Sequence, residues 1–160
     1  MTRMLARAKT YLAMLATDRG GNLVIEFALA LPILMMLLLG LLDLGRYSLQ
    51  KSSLLQGARE GAQYGSFQPG NSTAINTTAQ NATGLSGVTA TSSVFCECTS
   101  GVAVSCSSSC SGGALLKKYV TVTATKSFSS VLAVTTISFG KFGSWTPPTT
   151  VSASVTMICP

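Results

Sequence analysis

Few side chains in this 160-residue sequence can do chemistry. The acids are Asp18, Glu26, Asp43, Glu60 and Glu97, too scattered to form a carboxylate pair for proton transfer. There is no histidine, which excludes Ser-His-Asp triads, Cys-His pairs and histidine metal sites together. Five cysteines remain. Cys96, Cys98, Cys106 and Cys110 make a C-x-C-x7-C-x3-C pattern, and Cys159 stands apart near the end. A thiol with no imidazole to activate it is a weak nucleophile. These residues predict no enzyme, no small-molecule substrate and no cofactor. The four clustered cysteines allow two chemistries, a four-thiolate zinc site or two disulfides. Zinc knuckles favour two CxxC-like pairs, which this spacing matches poorly. Disulfides that staple a serine-rich loop with little core of its own are the expected reading, with no metal. Four cysteines permit three pairings, and a Cys96–Cys98 bond along one strand would be strained, which leaves two.

The other chemical feature is positional. Glu26 heads the run FALALPILMMLLLGLL, residues 27–42, which holds no charge. Residues 23–42 make a helix about 30 Å long, the thickness of a bilayer's hydrocarbon core. Ten of residues 27–42 are Leu, Ile or Phe. At about −0.3 to −0.6 kcal/mol each, they outweigh the cost of one carboxylate near the end of the span. A small domain has no core large enough to wrap such a helix, so a single membrane span is expected. It is long for a secretory signal, and no cleavage pattern follows it. Only 10% of the residues are charged, against about 25% in average soluble domains. The net charge of +6 is spread thinly, with no basic stripe interleaved with aromatics, so no nucleic acid is expected as a partner.

A carboxylate at the edge of a membrane helix needs a partner. The preceding residues, Arg19-Gly20-Gly21-Asn22, suggest one. Cleavage after Gly21 would make Asn22 a new, cationic N-terminus, able to pair with Glu26 of its own or a neighbouring chain. Such a pair would mark the register of assembly. Four basic residues precede the span (Arg3, Arg7, Lys9 and Arg19) and three follow closely (Arg46, Lys51 and Arg59). This slight positive-inside bias, with the disulfide reading of the cysteines, puts the C-terminal part outside.

From Gly45 the helix is expected to continue, since Leu44, Tyr47, Leu54, Leu55, Ala58 and Ala62 recur at helical spacing. Gly57, Gly61 and Gly65 lie four apart on one ridge. Each glycine costs a helix about 1 kcal/mol relative to Ala, so the ridge predicts a close backbone approach, to a sheet of this chain or to a neighbour's helix. Phe67-Gln68-Pro69-Gly70 ends it. Residues 71–85 predict a short helix capped by Asn71 or Ser72, with Ala74, Ile75, Thr78, Ala79 and Ala82 inward. Alternation predicts strands over Val88–Cys98, Val102–Cys106, Val120–Ala124 and Val151–Met157. Residues 131–145 fit either a strand or an apolar loop close to the outer leaflet.

The string RGGNLVIEFALALPILMMLLLGLLDLGRYSLQKSSLLQGAREGAQYGS resembles the TadE-like proteins of the Flp/Tad pilus assembly system. The features that carry this are Gly21, the Glu26-Phe27 pair, Pro32 within the apolar run, and Ala58-Arg59-Glu60-Gly61-Ala62. The string GNLVIEF resembles the cleavage signal of prepilins and pseudopilins, although Asn22 stands where Phe is common. The resemblance implies a pilin-like α+β fold, with a long N-terminal helix packed on a small antiparallel sheet. It implies a basic leader over residues 1–21, a transmembrane helix over 22–44, a continuing amphipathic helix over 45–66 and a small exported domain over 67–160. It also implies a minor pseudopilin of the bacterial inner membrane, N-terminus in the cytoplasm and C-terminal domain in the periplasm. Its partners would be the membrane, a prepilin peptidase and other pilin or pseudopilin subunits. Gly21, Asn22, Glu26 and Phe27 would serve processing and assembly, and Pro32, Gly57, Gly61 and Gly65 helix packing. TadE-like proteins often carry similar cysteines in this region. The rival reading is an uncleaved, single-pass anchored binding domain.

Overall fold

The computed structural model describes residues 19–131, 136–138 and 140–160. The leader expected over residues 1–21 therefore lies outside the described residues up to position 18. The architecture is α+β. Helix α1 runs over Arg19–Phe67 and α2 over Ser72–Ala82. The strands are β1 (Val88–Cys98), β2 (Ala103–Val104), β3 (Leu116–Ser127), β4 (Ile137–Ser138), β5 (Ser144–Trp145) and β6 (Thr150–Cys159). The chain divides into two compact units, Met1–Leu42 and Asp43–Pro160.

In the first unit, most of the described apolar residues of α1 are exposed. Leu23, Phe27, Ile33 and Leu37 are all more than half exposed. The apolar part of α1 is long and apolar enough to cross a membrane, with a mean hydropathy of 2.5. Pro32 lies inside this stretch without ending the helix. It removes the N–H that would bond the Ala28 carbonyl.

The second unit is built on an antiparallel sheet in the order β2-β1-β3-β6. Alternation fixes its faces. Val120, Val122 and Ala124 of β3, with Val151 and Ala153 of β6, point into the core and are buried. The opposite face carries hydroxyls that bond across strands, Thr121 to Thr156 at 2.7 Å and Thr123 to Ser154 at 3.0 Å. Two clusters share the core. Leu54 and Ala58 of α1 pack with Ala124, Phe128, Val151 and Ala153. Ala62 packs with Ile75 and Ala79 of α2 and with Ala90, Val120 and Val122. The Asn71 side chain caps α2, accepting from Ala74 N–H at 3.0 Å.

Three expectations are altered. Leu44 does not face the core; it is 63% exposed, and Tyr47 takes the first inward position. The strand expected over Val102–Cys106 shortens to Ala103–Val104, because the chain turns at Ser105–Ser108 and carries Cys106 back towards β1. Between β3 and β6, the described residues form neither a long strand nor a bare loop but the two-residue pair β4–β5, Ile137 opposite Trp145, joined by a 3-10 turn over Gly140–Phe142.

The clustered cysteines are joined as Cys96–Cys106 and Cys98–Cys110, with Cα atoms 5.0 Å and 5.8 Å apart. Both anchors lie on the buried face of β1, so the bonds hold the loop against the sheet from inside. A disulfide sulfur is not a thiolate, so these four do not ligate zinc in this state. Cys159 is free and half-buried; burial pushes its thiol above the ordinary range, and nearby Lys118 pulls the other way. Thiol counting on unfolded, unreduced protein should find one reactive group, and more than one would contradict the pairing. Reduction should then expose residues 99–115 to protease before the strands are cut, since closing a loop of this size is worth about 3 kcal/mol.

Candidate functional site

The residues singled out by sequence fall on α1 in two groups. Gly21 and Asn22 belong to its first turns. Glu26 and Phe27 follow on the exposed apolar stretch, with Phe27 at 63% exposure. Among the described residues, no hydrogen bond or ion pair engages the Glu26 carboxylate. The first group is thus a carboxylate with no partner among the described residues, at the head of an exposed apolar helix.

The second group is the glycine ridge. Gly57, Gly61 and Gly65 are buried, and α2 crosses over them. A Cβ on Gly57 would run into Thr83 Cγ2 and the Ala79 carbonyl oxygen. On Gly61 it would stand 2.7 Å from Ala79 Cβ and 3.2 Å from the Ile75 carbonyl oxygen. At Gly65 it would meet Val120 Cγ2 at 3.0 Å and Ile75 Cδ1 at 3.1 Å. The close approach therefore goes mainly to a short helix of the same chain, and at Gly65 also to the sheet. The AREGA string divides by helical phase. Ala58, Gly61 and Ala62 are buried, whereas Arg59 and Glu60 are exposed. That exposed side also carries Ser52 and Gln56 and is left open by the domain's own fold.

Sequence reasoning missed Asp43. It is buried, at 9% exposure, one residue after the apolar run. Its carboxylate accepts from the Val131 N–H at 2.9 Å and 3.0 Å and from the Ser130 hydroxyl. Arg46 Nη1 lies 3.7 Å away, and the Arg46 guanidinium sits 5.9 Å from the centre of the Phe128 ring. Phe128 in turn meets Tyr47 edge-on at 5.6 Å. Position alone was the available signal: a lone acid next to an apolar run must be paired or wet.

No curated protein and no solved structure matches the chain significantly. A family model does match, over residues 21–63, and it covers Gly21, Glu26, Pro32 and the AREGA string together. In that segment, from the head of α1 to the glycine ridge, the chain matches the family of TadE-like proteins.

Proposed function

We propose that the chain is a minor pseudopilin of the Flp/Tad pilus assembly system. In this reading a prepilin peptidase cleaves it after Gly21, and its helix then packs with other pilin or pseudopilin subunits in the membrane. The TadE-like family is a family of pilus components rather than enzymes. One membrane-crossing helix fits such a protein. The observation that carries the proposal is Glu26, with no partner among the described residues, on an exposed apolar helix five residues past a Gly21 at which the family match begins. A carboxylate there costs up to about 2.5–3.5 kcal/mol in lipid unless something neutralises it. The α-amino group that cleavage creates at Asn22 is the nearest source of positive charge, from the same chain or its neighbour.

Glu26→Ala tests this. The change removes a cost to insertion, so the protein should still enter the membrane fully. Piliation should nevertheless fall sharply, because the register mark is gone. Wild-type numbers of pili from this variant would contradict an assembly role for Glu26.

A further inference from the structure

Between β3 and β6 the chain makes an excursion whose two stems are tied together, Phe128 N–H donating to the Thr149 carbonyl at 2.8 Å. The outgoing stem is fixed to α1. Phe128 packs on Tyr47, and the Asp43 carboxylate holds the Ser130 hydroxyl and the Val131 N–H. Asp43 directly follows Leu42, the last residue of the apolar run. Covalent adjacency alone therefore sets Val131 within several ångströms of the point where the chain leaves hydrocarbon.

What hangs from that point is not polar. Residues 131–145 contain one charged residue, Lys141, and the protein's only tryptophan, Trp145. Val131 is 51% exposed and Trp145 50%. Trp145 lies opposite Ile137 in the β4–β5 pair, and Lys141 sits in the turn that joins them. In water this would be wasted apolar surface. At a headgroup layer it is well matched: an indole ring buries its body and keeps its N–H wet, and a lysine reaches outward to phosphate. Two cations, Lys126 near the end of β3 and Lys141 in the β4–β5 turn, suit an anionic lipid surface, and the acid Asp43 is already paired with Arg46.

We propose that this loop is a second membrane contact, in which Val131, Lys141 and Trp145 lie at the headgroup level of the bilayer that residues 23–42 cross. The inference rests on the reading of that stretch as a membrane span. The loop tethers the exported domain to lipid at a point beyond its helix.

Trp145 reports on itself, because no other tryptophan emits. The full-length protein is reconstituted into vesicles of phosphatidylcholine and phosphatidylglycerol, with lipids brominated near the headgroup or deep in the acyl chain. Shallow bromines should quench the emission about twofold, deep bromines less, and iodide in the water should quench weakly. In Asp43→Ala the lipid quenching should fall, since the stem is released. Strong iodide quenching without lipid quenching overturns the proposal, as does shielding from both, which would mean that protein covers the loop. Extraction at alkaline pH separates the two levels. Protein that leaves the vesicles contradicts the membrane span itself, whereas retained protein with an iodide-open Trp145 overturns only the loop contact.

Discussion

Gly61→Leu is expected to prevent the C-terminal domain from folding. At Gly61 even a single added carbon stands 2.7 Å from Ala79 Cβ, with the Ile75 carbonyl oxygen at 3.2 Å and Ala79 Cα at 3.3 Å. Two of those three atoms are backbone, so no side-chain rotation relieves the contact. Ala79 and Ile75 are themselves fully buried against the sheet, so α2 cannot retreat without opening the core. Overpacking costs about 1–3 kcal/mol for modest additions, and leucine adds three carbons beyond the first. Small domains are stable by only about 5–15 kcal/mol. Gly61→Ala is the graded version. It gains about 1 kcal/mol of helix propensity and loses more to the clash, so it should destabilise. Gly45→Ala is the control on the same helix. No atom lies within 4 Å of a Cβ there, so that variant should be neutral or more stable by up to about 1 kcal/mol. Thermal unfolding of the three proteins checks the order. A stable, folded Gly61→Leu would show that α1 and α2 do not meet as described.

Gly21→Leu is expected to leave the protein unprocessed. The bond after Gly21 lies in the first turns of α1, and a peptidase must draw that backbone out of the helix to reach its carbonyl. The Gly20-Gly21 pair makes this opening easier, since each glycine weakens a helix by about 1 kcal/mol relative to Ala. Leucine removes that advantage and adds a branched side chain at the cut. A steric penalty of about 3 kcal/mol slows a step roughly a hundredfold. Gly21→Ala should cleave more slowly but still mature. Both are read as the ratio of precursor to mature protein on gels of whole membranes. Mature protein of normal size from Gly21→Leu would contradict cleavage at this bond.

The parts of this fold that sequence revealed are those set by periodicity. The long α1 follows from an unbroken apolar run joined to a helical recurrence through Ala62, and β1, β3 and β6 from strict alternation. The glycine ridge was legible as a flat surface. What lies on it was not, because spacing defines a groove and says nothing of its occupant; here Ala79 and Thr83 fill it. The disulfide pairing depended on where the loop turns, and the turn at Ser105–Ser108 carries no proline or glycine to announce it. Residues 131–145 are apolar without a period, which fits several structures equally well. Asp43 was hidden for a different reason. Its partners, Ser130 and Val131, are nearly ninety residues away, and no local pattern connects them.

The first α-amino group of the native protein, mapped by mass spectrometry on material purified from its own membranes, tests the central claim most directly. A chain beginning at Asn22 is the predicted result. It would make Glu26 the fifth residue of the mature chain, four after a cationic terminus, and explain why an acid stands at the head of the apolar helix. A chain that still begins at Met1 or Thr2 would contradict prepilin-type processing. The C-terminal domain would then be the head of an uncleaved anchor, and the pairing proposed for Glu26 would lose its cation.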